Sequence, residues 1–410
     1  MRILIFSQHF WPESFIINDF AKNLKEQGHE VLVATGKPNY PVGQIFEGYK
    51  LLGLQTDNYD GIPIFRVPLW PRGRSGALNL ILNYFSFVLS GLLFFPWMLR
   101  AKKIDHIVVF ASSPLVQAIP AIWLKYFKKA HLSIWVQDLW PESLSATGHI
   151  KNETALRAVG KLVKFIYWQS DTLLVQSKAF IRSVARYADE SKIIYFPNLF
   201  DRRTMQVTEN SIPTELQRQL SENFSFVFAG NLGTAQSLET IIQAAELVAD
   251  LKDVKIVIVG SGSSGDWLQK QVEQKKLKNI FLSGRYPMQA MPEIFFYSKV
   301  LLVTLKADPI FELTVPSKVQ AYLAAGKPIL AAIDGEGARV IDESGAGLTG
   351  AAADALTLAS NMRKFHSMDA DTLNKMSLNA KNYFDKNFDM STETQRFVKV
   401  LTQRSKFQKG

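Results

Sequence analysis

Short apolar runs alternate along the chain with segments whose apolar residues recur every three or four positions. In the first half this pattern predicts a helix at 15–27 and strands at 2–7, 30–34, 62–67, 107–110, 132–135, 172–176 and 192–195. In the second half it predicts strands at 224–229, 255–259, 279–282, 300–305 and 328–333. Such alternation specifies doubly wound parallel sheets. The predicted fold class is therefore α/β with two Rossmann-like domains.

The alternation stops between Phe196 and Ile212, where Pro197, Asn198 and a cluster of charges show no periodicity. This segment is the predicted linker. The expected domains are 1–200, 213–385, and a C-terminal helical segment at 386–410 that folds back on the first domain. Sheets of this kind bind ligands beyond the carboxyl ends of their strands, so we expect a site in a cleft between the two halves.

The most apolar stretch, at 80–99, is long enough to span a bilayer. Asn83, Ser86 and Ser90 interrupt it, and Pro96 lies inside it. Bases flank it on both sides and therefore indicate no orientation. A strand follows almost at once and is predicted to belong to the same sheet. These observations favour a buried or membrane-leaning helix, and they leave a transmembrane span open.

Positive charge concentrates around this stretch. The chain of 410 residues has a net charge of +10 at pH 7, and the window from Arg72 to Lys164 holds twelve Lys and Arg but four Asp and Glu. Arg157, Lys161 and Lys164 share one face of a predicted helix, which is typical of an interfacial helix on anionic lipid and also of an ordinary solvated helix. No nucleic-acid motif accompanies the bases, so nucleic acid is not an expected partner.

The segment at 311–328 carries the clearest chemical signal. Pro316 and Ser317 mark a helix start, Lys318 lies one step inside, and Gly326 follows the last turn. Free N–H groups at such a start attract anions, and the lysine adds a positive charge. With the carboxylate of Glu312 just before it, this arrangement fits a diphosphate site of a nucleotide-sugar enzyme.

A second glycine pattern, GSGSSG at 260–265, matches the dinucleotide-binding fingerprint. It follows the second strand of its half rather than the first, and the next strand ends at Ser283-Gly284-Arg285 without a ribose-binding acid. These two observations favour a turn beside the same ligand site, or a purely structural turn, over a dinucleotide oxidoreductase.

Several motifs together resemble one family. They are SQHFWPES at 7–14, VQDLWPES at 136–143, FPN at 196–198, AGNLG at 229–233, and PSK with YLAAGKP at 316–328. Over nearly the whole length the chain resembles the retaining GT-B glycosyltransferases of glycosyl transferases group 1 (family 4-like). The resemblance is to the O-antigen and colanic-acid type, a group that includes N-acetyl-L-fucosamine transferases.

The resemblance implies transfer of a sugar, of hexosyl or N-acetylhexosaminyl type, from a UDP-sugar to a lipid-linked saccharide, without a metal or other cofactor. The expected donor is an N-acetylated amino or deoxy sugar, and the pathway is O-antigen, lipopolysaccharide or capsule synthesis. The acceptor would be a polyprenyl-diphosphate-linked saccharide. The expected location is the cytoplasm, peripherally attached to the inner face of the cytoplasmic membrane.

The resemblance also assigns roles to residues. The donor-binding set, expected in the C-terminal half, is Lys318, Arg285, Gly230, Asn231, Gly233, Pro316 and Ser317. The acceptor-binding set, expected in the N-terminal half, is Glu142 and Ser14. The catalytic candidates are Asp138, Glu312 and Glu13, with Asp138 orienting or deprotonating the acceptor hydroxyl. His9 is expected to be structural.

The chain also departs from the family. Ala321 stands where many relatives carry a second glutamate, and Asn231 and Ser237 stand near the usual phosphate-binding Arg and Lys. These departures place more of the phosphate binding on Lys318 and Arg285. Two other functions remain open from the sequence: a nucleotide-sugar 2-epimerase of the same fold, and a non-catalytic protein that binds a nucleotide or a lipid glycan.

Overall fold

The computed structural model describes residues 1–73, 76–146 and 152–407. Arg74 and Lys151 of the basic window lie outside these residues. The chain forms two compact units: the first contains Met1–Leu199 and Met390–Gly410, and the second contains Phe200–Asp389.

The first unit is built on an eight-stranded sheet. Its strands are β1 (Arg2–Phe6), β2 (Glu30–Gly36), β3 (Gln55–Tyr59), β4 (Ile62–Val67), β5 (His106–Ala111), β6 (His131–Val136), β7 (Thr172–Val175) and β8 (Ile193–Tyr195). Its helices within 1–199 are α1 (Ile16–Glu26), α2 (Ala77–Met98), α3 (Ala118–Lys128), α4 (Glu142–Ala146), α5 (Glu153–Gln169) and α6 (Lys178–Val184). The strand order is β3-β4-β2-β1-β5-β6-β7-β8. The parallel sheet is as predicted.

One strand of this sheet, β3, was not predicted and is the antiparallel one. Its sequence, QTDNY, lacks the apolar alternation that predicts a strand. It pairs with β4 through a two-residue turn at Asp60 and Gly61, which both have positive φ. An Asp-Gly pair between two strands is a strong hairpin signal. The fully buried Arg66 of β4 forms an ion pair with Asp57 of β3, which fixes this edge of the sheet.

The second unit has a six-stranded sheet that is parallel throughout. Its strands are β9 (Phe224–Ala229), β10 (Val254–Val259), β11 (Ile280–Gly284), β12 (Val300–Thr304), β13 (Ile329–Ala332) and β14 (Gly347–Gly350). The strand order is β11-β10-β9-β12-β13-β14. Its helices are α7 (Thr214–Ser221), α8 (Leu238–Leu247), α9 (Gly265–Gln274), α10 (Met291–Tyr297), α11 (Pro309–Glu312), α12 (Ser317–Ala325), α13 (Gly335–Ser344), α14 (Ala355–His366) and α15 (Ala370–Asn387). The short strand β14 is the element of this sheet that the sequence pattern missed.

The chain passes into the second unit between Leu199 and Phe200, inside the predicted linker at 196–212. Residues 200–212 belong to the second unit because they are bonded to it. Phe200 N–H donates to the Phe388 carbonyl at 3.0 Å. The buried carboxylate of Glu293 accepts from the backbone N–H groups of Asn210 and Ser211.

The last helix, α16 (Met390–Phe407), returns to the first unit. Phe397 packs against Phe20 and Phe196 with ring centroids 5.3 Å apart in both pairs. Phe397, Met390 and Leu401 are buried in the same core as β1 and α1. The helix therefore completes the core of the first unit, although it lies far from β1 in the sequence.

Candidate active site

The loop after β9 approaches α12 at Gly230. Gly230 has φ 147°, and a Cβ atom there would lie 2.5 Å from Cε of Lys318. Only glycine fits this backbone conformation and this close approach. The lysine side chain therefore lies directly against the β9 loop. The structure brings together two of the predicted donor-binding residues.

Lys318 is largely buried. Its Nζ donates to the Gln236 side chain at 2.5 Å and lies 3.6 Å from the centroid of the Phe228 ring. Burial lowers the pKa of Lys318 from 10.5 to about 7. The surroundings of the amine therefore disfavour its charged form.

The start of α12 is fixed on two sides. Pro316 caps the helix without a side-chain hydrogen bond, and a Cβ at Gly337 would lie 2.9 Å from its Cδ, so α12 and α13 begin side by side. Within α12, the buried Tyr322 hydroxyl accepts from Ala229 N–H at 3.2 Å, which ties the helix to the end of β9. Ser317 is exposed at the first position of the helix. The predicted helix at this position is confirmed.

A concave pocket of about 340 Å³ opens beside the same loop. It is lined by Gly230, Asn231, Val259, Gly260, Ser261, Arg285, Tyr286, Pro287, Met288 and Met291. Arg285 is exposed and directly follows β11. The pocket combines a cation, an aromatic ring and loop backbone, which suits a nucleotide base and its ribose.

The GSGSSG pattern contributes one wall of this pocket. A Cβ at Gly260 would lie 1.8 Å from the Gly230 carbonyl oxygen, and one at Gly262 would lie 2.6 Å from the Leu232 backbone. These two glycines allow the loops after β9 and β10 to pack backbone against backbone. Gly233 lies on the β9 loop beyond Leu232 and is half-buried.

Glu312 ends the short helix α11 and is exposed. Its backbone packs against Gly335, where a Cβ would lie 2.1 Å from the Glu312 carbonyl oxygen. The Glu312 carboxylate forms no ion pair or hydrogen bond within the described part of the chain. It is available to a ligand, as its predicted role requires, and that role stays a prediction.

In the first unit, the Glu13 carboxylate is buried, and both of its oxygens have hydrogen-bond partners. Its oxygens accept from the backbone N–H groups of Asn39, Tyr40 and Phe10 at 2.7 to 3.2 Å, and both lie 3.1 Å from Nδ1 of His9. Glu13 thereby holds the loop after β2 against the loop after β1. This geometry favours a structural role for Glu13, in which it holds the two loops together, over the predicted catalytic role. Its neighbour Ser14 is exposed.

His9, which the sequence predicts to be structural, lies against the Glu13 carboxylate. With Nδ1 against Glu13, its other nitrogen, Nε2, is buried without a hydrogen-bond partner among the described residues. The ring stacks on Phe15 and contacts Tyr40, with centroids 5.5 Å apart in both pairs. In the sequence, this environment is indicated by a histidine and a glutamate in the loop that follows a central strand of the sheet.

Asp138 and Glu142 occupy the matching loop after β6. Asp138 accepts from Trp140 Nε1 at 3.2 Å, and Glu142 pairs with Arg186 at 3.7 Å. Burial raises the pKa of Glu142. Burial also raises the pKa of Tyr167, and the negative charges of Glu142 and Asp138 raise it further. Asp138 and Glu142 thus lie in one loop, and the negative charges of both act on the same buried tyrosine.

The two loops repeat one motif. QHFWPES follows β1 at 8–14 and QDLWPES follows β6 at 137–143, and both contain a cis Trp-Pro bond. His9 and Asp138 occupy equivalent positions, and so do Glu13 and Glu142. The repeat is visible in the sequence and places a titratable pair at the carboxyl end of two strands in the same sheet.

No group of three or more His, Asp or Glu residues is placed to hold a metal ion among residues 1–73, 76–146 and 152–407. The cations of the second unit's site are Lys318 and Arg285.

Comparisons with known proteins decide the class of enzyme. Residues 214–383 match the family described as glycosyl transferases group 1. The chain is 25% identical over 339 residues to WcaI of Escherichia coli strain K12, named a colanic acid biosynthesis glycosyl transferase, with 80% of this chain and 82% of the relative covered. It is 27% identical over 279 residues to the glycosyltransferase WbjE of Pseudomonas aeruginosa, covering 67% and 69%. The chain is a glycosyltransferase.

Solved structures show that this glycosyltransferase has the GT-B fold. HepE of Anabaena in complex with UDP matches with a TM-score of 0.69 at 15% identity, over 98% of this chain and 100% of that one. Sucrose-phosphate synthase of Thermosynechococcus elongatus matches with a TM-score of 0.73 at 14% identity, over 98% of each chain. The predicted fold class is confirmed.

Proposed function

We propose that this glycosyltransferase moves a sugar from a UDP-sugar to a lipid-linked saccharide during the synthesis of a bacterial surface polysaccharide. The observation that carries the proposal is the site around Gly230. This site combines a buried lysine, the start of α12 and an open pocket that ends at Arg285. All three lie within the residues that match the family.

The UDP assignment draws support from a structural neighbour, HepE, which was solved with UDP and with UDP-glucose. We assign the diphosphate to Lys318 and the helix start at Pro316 and Ser317, because N–H groups at a helix start and an amine both stabilise negative charge. The base and ribose would occupy the pocket beside Arg285 and Tyr286. Glu312 would hold hydroxyls of the donor sugar.

The acceptor assignment draws support from the names of the two relatives, one of which refers to colanic acid biosynthesis. A polyprenyl-diphosphate-linked saccharide would present its hydroxyl to Asp138, with Glu142 and Ser14 nearby on the acceptor side. Glu142 is suited to proton transfer because its pKa is raised by burial. We place the enzyme at the inner face of the cytoplasmic membrane, and the lack of cysteine fits a reducing compartment.

We further propose that transfer retains the anomeric configuration, needs no metal, and uses an N-acetylated amino or deoxy sugar. Cationic groups and N–H groups at the site of the leaving diphosphate can supply the stabilisation that a metal supplies elsewhere. Proton NMR of the first product formed reports the configuration at the anomeric carbon. Activity in excess chelator reports the metal requirement.

The donor is tested by titrating UDP, GDP, dTDP and ADP by calorimetry. We expect UDP to bind most tightly, and Lys318→Ala to weaken the binding of all four nucleotides, because the lysine is assigned to the diphosphate that they share. Transfer is then tested with UDP-N-acetylhexosamines and a polyprenyl-diphosphate saccharide. Turnover of the donor in the absence of any acceptor would show a 2-epimerase instead. UDP binding without transfer to any extracted lipid acceptor would show a non-catalytic binding protein.

A further inference from the structure

One face of α2 is apolar and exposed along its whole length. The side chains on it are Leu78, Ile81, Leu82, Phe85, Leu89, Leu93 and Trp97. They recur at intervals of three or four residues, so they share one side of the helix. Phe85, Leu89 and Leu93 are each at least 60 % exposed. Water-facing positions of a helix are normally polar, so a surface of this length calls for an apolar partner.

The opposite face of α2 is fixed to the sheet. Phe87 and Phe95 are fully buried, with ring centroids 5.9 and 5.3 Å from that of Phe6 in β1. Asn83 is also fully buried, accepts from Gln8 Nε2 at 2.6 Å and donates to the Trp70 carbonyl. The partner of the exposed face must therefore come from outside this unit.

The apolar surface continues onto the two neighbouring helices. Trp123, Tyr126 and Phe127 of α3 and Phe165 and Trp168 of α5 are exposed large side chains. Two lysines join the three helices at one end. Lys128 Nζ donates to the Leu99 carbonyl after α2, and Lys125 Nζ donates to the Gln169 carbonyl at the end of α5. We call the twelve exposed side chains named on these helices the α2/α3/α5 face.

The charges around this face are positive. Residues 77–103, 118–129 and 153–169 contain nine Lys and Arg and one acid, Glu153. Lys161 and Lys164 share their helix face with Phe165 and Trp168, because all four recur at intervals of three or four residues. The Arg100 guanidinium lies 4.7 Å from the Trp97 ring centroid. Aromatic rings beside lysines and arginines characterise the boundary between hydrocarbon and anionic lipid headgroups.

Within the described residues one helix, Leu78–Met98, is long and apolar enough to cross a membrane, with a mean hydropathy of 1.8. The structure argues for a different placement. α2 connects β4 to β5, which lie in the same sheet, and its Phe87 face packs on that sheet. A helix crossing the bilayer in this position would draw the sheet, with the hydrogen-bonded Asn83 and Gln8, into hydrocarbon.

We propose that the α2/α3/α5 face lies in the plane of an anionic bilayer, with the α2 side chains in the outer hydrocarbon and the surrounding bases at the headgroups. This deepens the proposed function by naming the surface that would hold the enzyme where a lipid-linked acceptor lies. The inference does not require the transfer reaction, because vesicles without any sugar serve as the ligand.

The first experiment measures co-sedimentation of the whole chain with vesicles of phosphatidylcholine alone or mixed with phosphatidylglycerol. We expect binding that increases with phosphatidylglycerol content. Leu89→Glu with Leu93→Glu should reduce the partition coefficient at least tenfold. The matched control, Leu356→Glu with Leu378→Glu, alters two exposed leucines on helices of the second unit and should bind as the unmodified chain does. Circular dichroism and UDP binding show that each variant is folded.

The second experiment uses the absence of cysteine in the chain. An environment-sensitive fluorophore is attached at Leu89→Cys and, as a control, at Leu378→Cys. Vesicles should shift only the first emission to shorter wavelength. Impermeant maleimide added outside the vesicles should then label Leu78→Cys and Trp97→Cys equally, because both ends of an in-plane helix lie at the same depth. Labelling at one end alone would show a span and overturn the proposal.

Neutralising Arg157, Lys161 and Lys164 together to Gln should weaken binding to phosphatidylglycerol vesicles and make it less sensitive to salt. Equal vesicle binding by the unmodified chain and the Leu89→Glu with Leu93→Glu variant would refute the proposal. The proposal would also be refuted if the unmodified chain did not bind vesicles and instead formed a dimer that the Leu89→Glu with Leu93→Glu variant dissociates. The α2/α3/α5 face would then bind a second copy of the chain. Either result leaves UDP binding by the second unit unchanged, so the proposed function is tested separately.

Discussion

Lys318 is the residue at which the proposed donor site can be tested most directly. Its amine lies against Phe228 and donates to Gln236, and burial is the cause of its low pKa. A bound diphosphate would supply the missing negative charge and favour the protonated form. We therefore expect UDP binding to be coupled to uptake of a proton by Lys318, and replacement by Met, which keeps the volume but cannot be protonated, to abolish that uptake.

The magnitude follows from the pKa. Burial lowers the pKa from 10.5 to about 7, and each unit corresponds to about 1.4 kcal/mol, so protonation of Lys318 in the folded free enzyme costs roughly 5 kcal/mol relative to the unfolded chain. Between pH 7 and 10.5 the folded state binds fewer protons than the unfolded state. The stability of the folded state should therefore rise with pH across this window. Lys318→Met should remove the rise and stabilise the free enzyme most below pH 7.

The assay is calorimetric titration of UDP at pH 8 in buffers that differ in ionisation enthalpy. At that pH about nine-tenths of Lys318 is neutral, given a pKa of about 7. The UDP phosphate is already ionised. We expect close to one proton to be taken up per UDP bound. Affinity should fall by up to tenfold for each pH unit above 7.5.

Lys327→Met is the matched control. Burial lowers the pKa of Lys327 to about 8, but its amine donates to the carbonyls of Phe296 and Ser298, away from the Gly230 loop. This variant should retain the proton uptake on UDP binding. The reasoning is refuted if unmodified enzyme binds UDP at pH 8 without proton uptake, or if Lys318→Met keeps the same pH dependence of UDP affinity.

Three further predictions concern single side chains. Arg285→Ala should weaken UDP binding about tenfold, roughly 1.4 kcal/mol, and leave the melting temperature unchanged because the side chain is exposed; an unchanged Kd in calorimetry would remove Arg285 from the site. Glu13→Gln should destabilise the chain by about 2–4 kcal/mol, because one oxygen that accepts buried N–H groups becomes a donor. As a control, Glu142→Gln should lower the free energy of unfolding by under about 1 kcal/mol. Equal losses of stability in thermal unfolding would contradict the structural role of Glu13. Asp138→Asn should reduce the transfer rate about 100-fold or more while UDP affinity stays constant, and a variant with normal turnover would show that Asp138 is not the base.

Elements with local signals were predictable from the sequence. The start of α12 is marked by Pro316 and its end by Gly326, which adopts the left-handed conformation with φ 64°. These preferences belong to a few neighbouring residues and do not depend on the rest of the fold. The buried strands were predictable for a similar reason, since both faces of a parallel sheet are covered and the strands are continuously apolar.

The environments of the candidate residues were not predictable in the same way. Glu13 has the sequence of an ordinary acid at a helix start, but its carboxylate is occupied by N–H groups from residues 39 and 40. Lys318 has the sequence of an exposed first-turn lysine, but Phe228 and Gln236 enclose its amine. Both outcomes depend on loops far away in sequence, and no local pattern encodes them.

The path of the chain has a consequence for its synthesis. Because residues 200–389 are inserted between the two parts of the first unit, every residue of the second unit leaves the ribosome before α16 does. The second unit can therefore fold while the first still lacks Phe397 and Leu401 from its core. A polypeptide ending near residue 200 would expose the apolar surface of Phe20 and Phe196 to water. Helix α16 can therefore complete the core of the first unit only after the whole second unit has been synthesised.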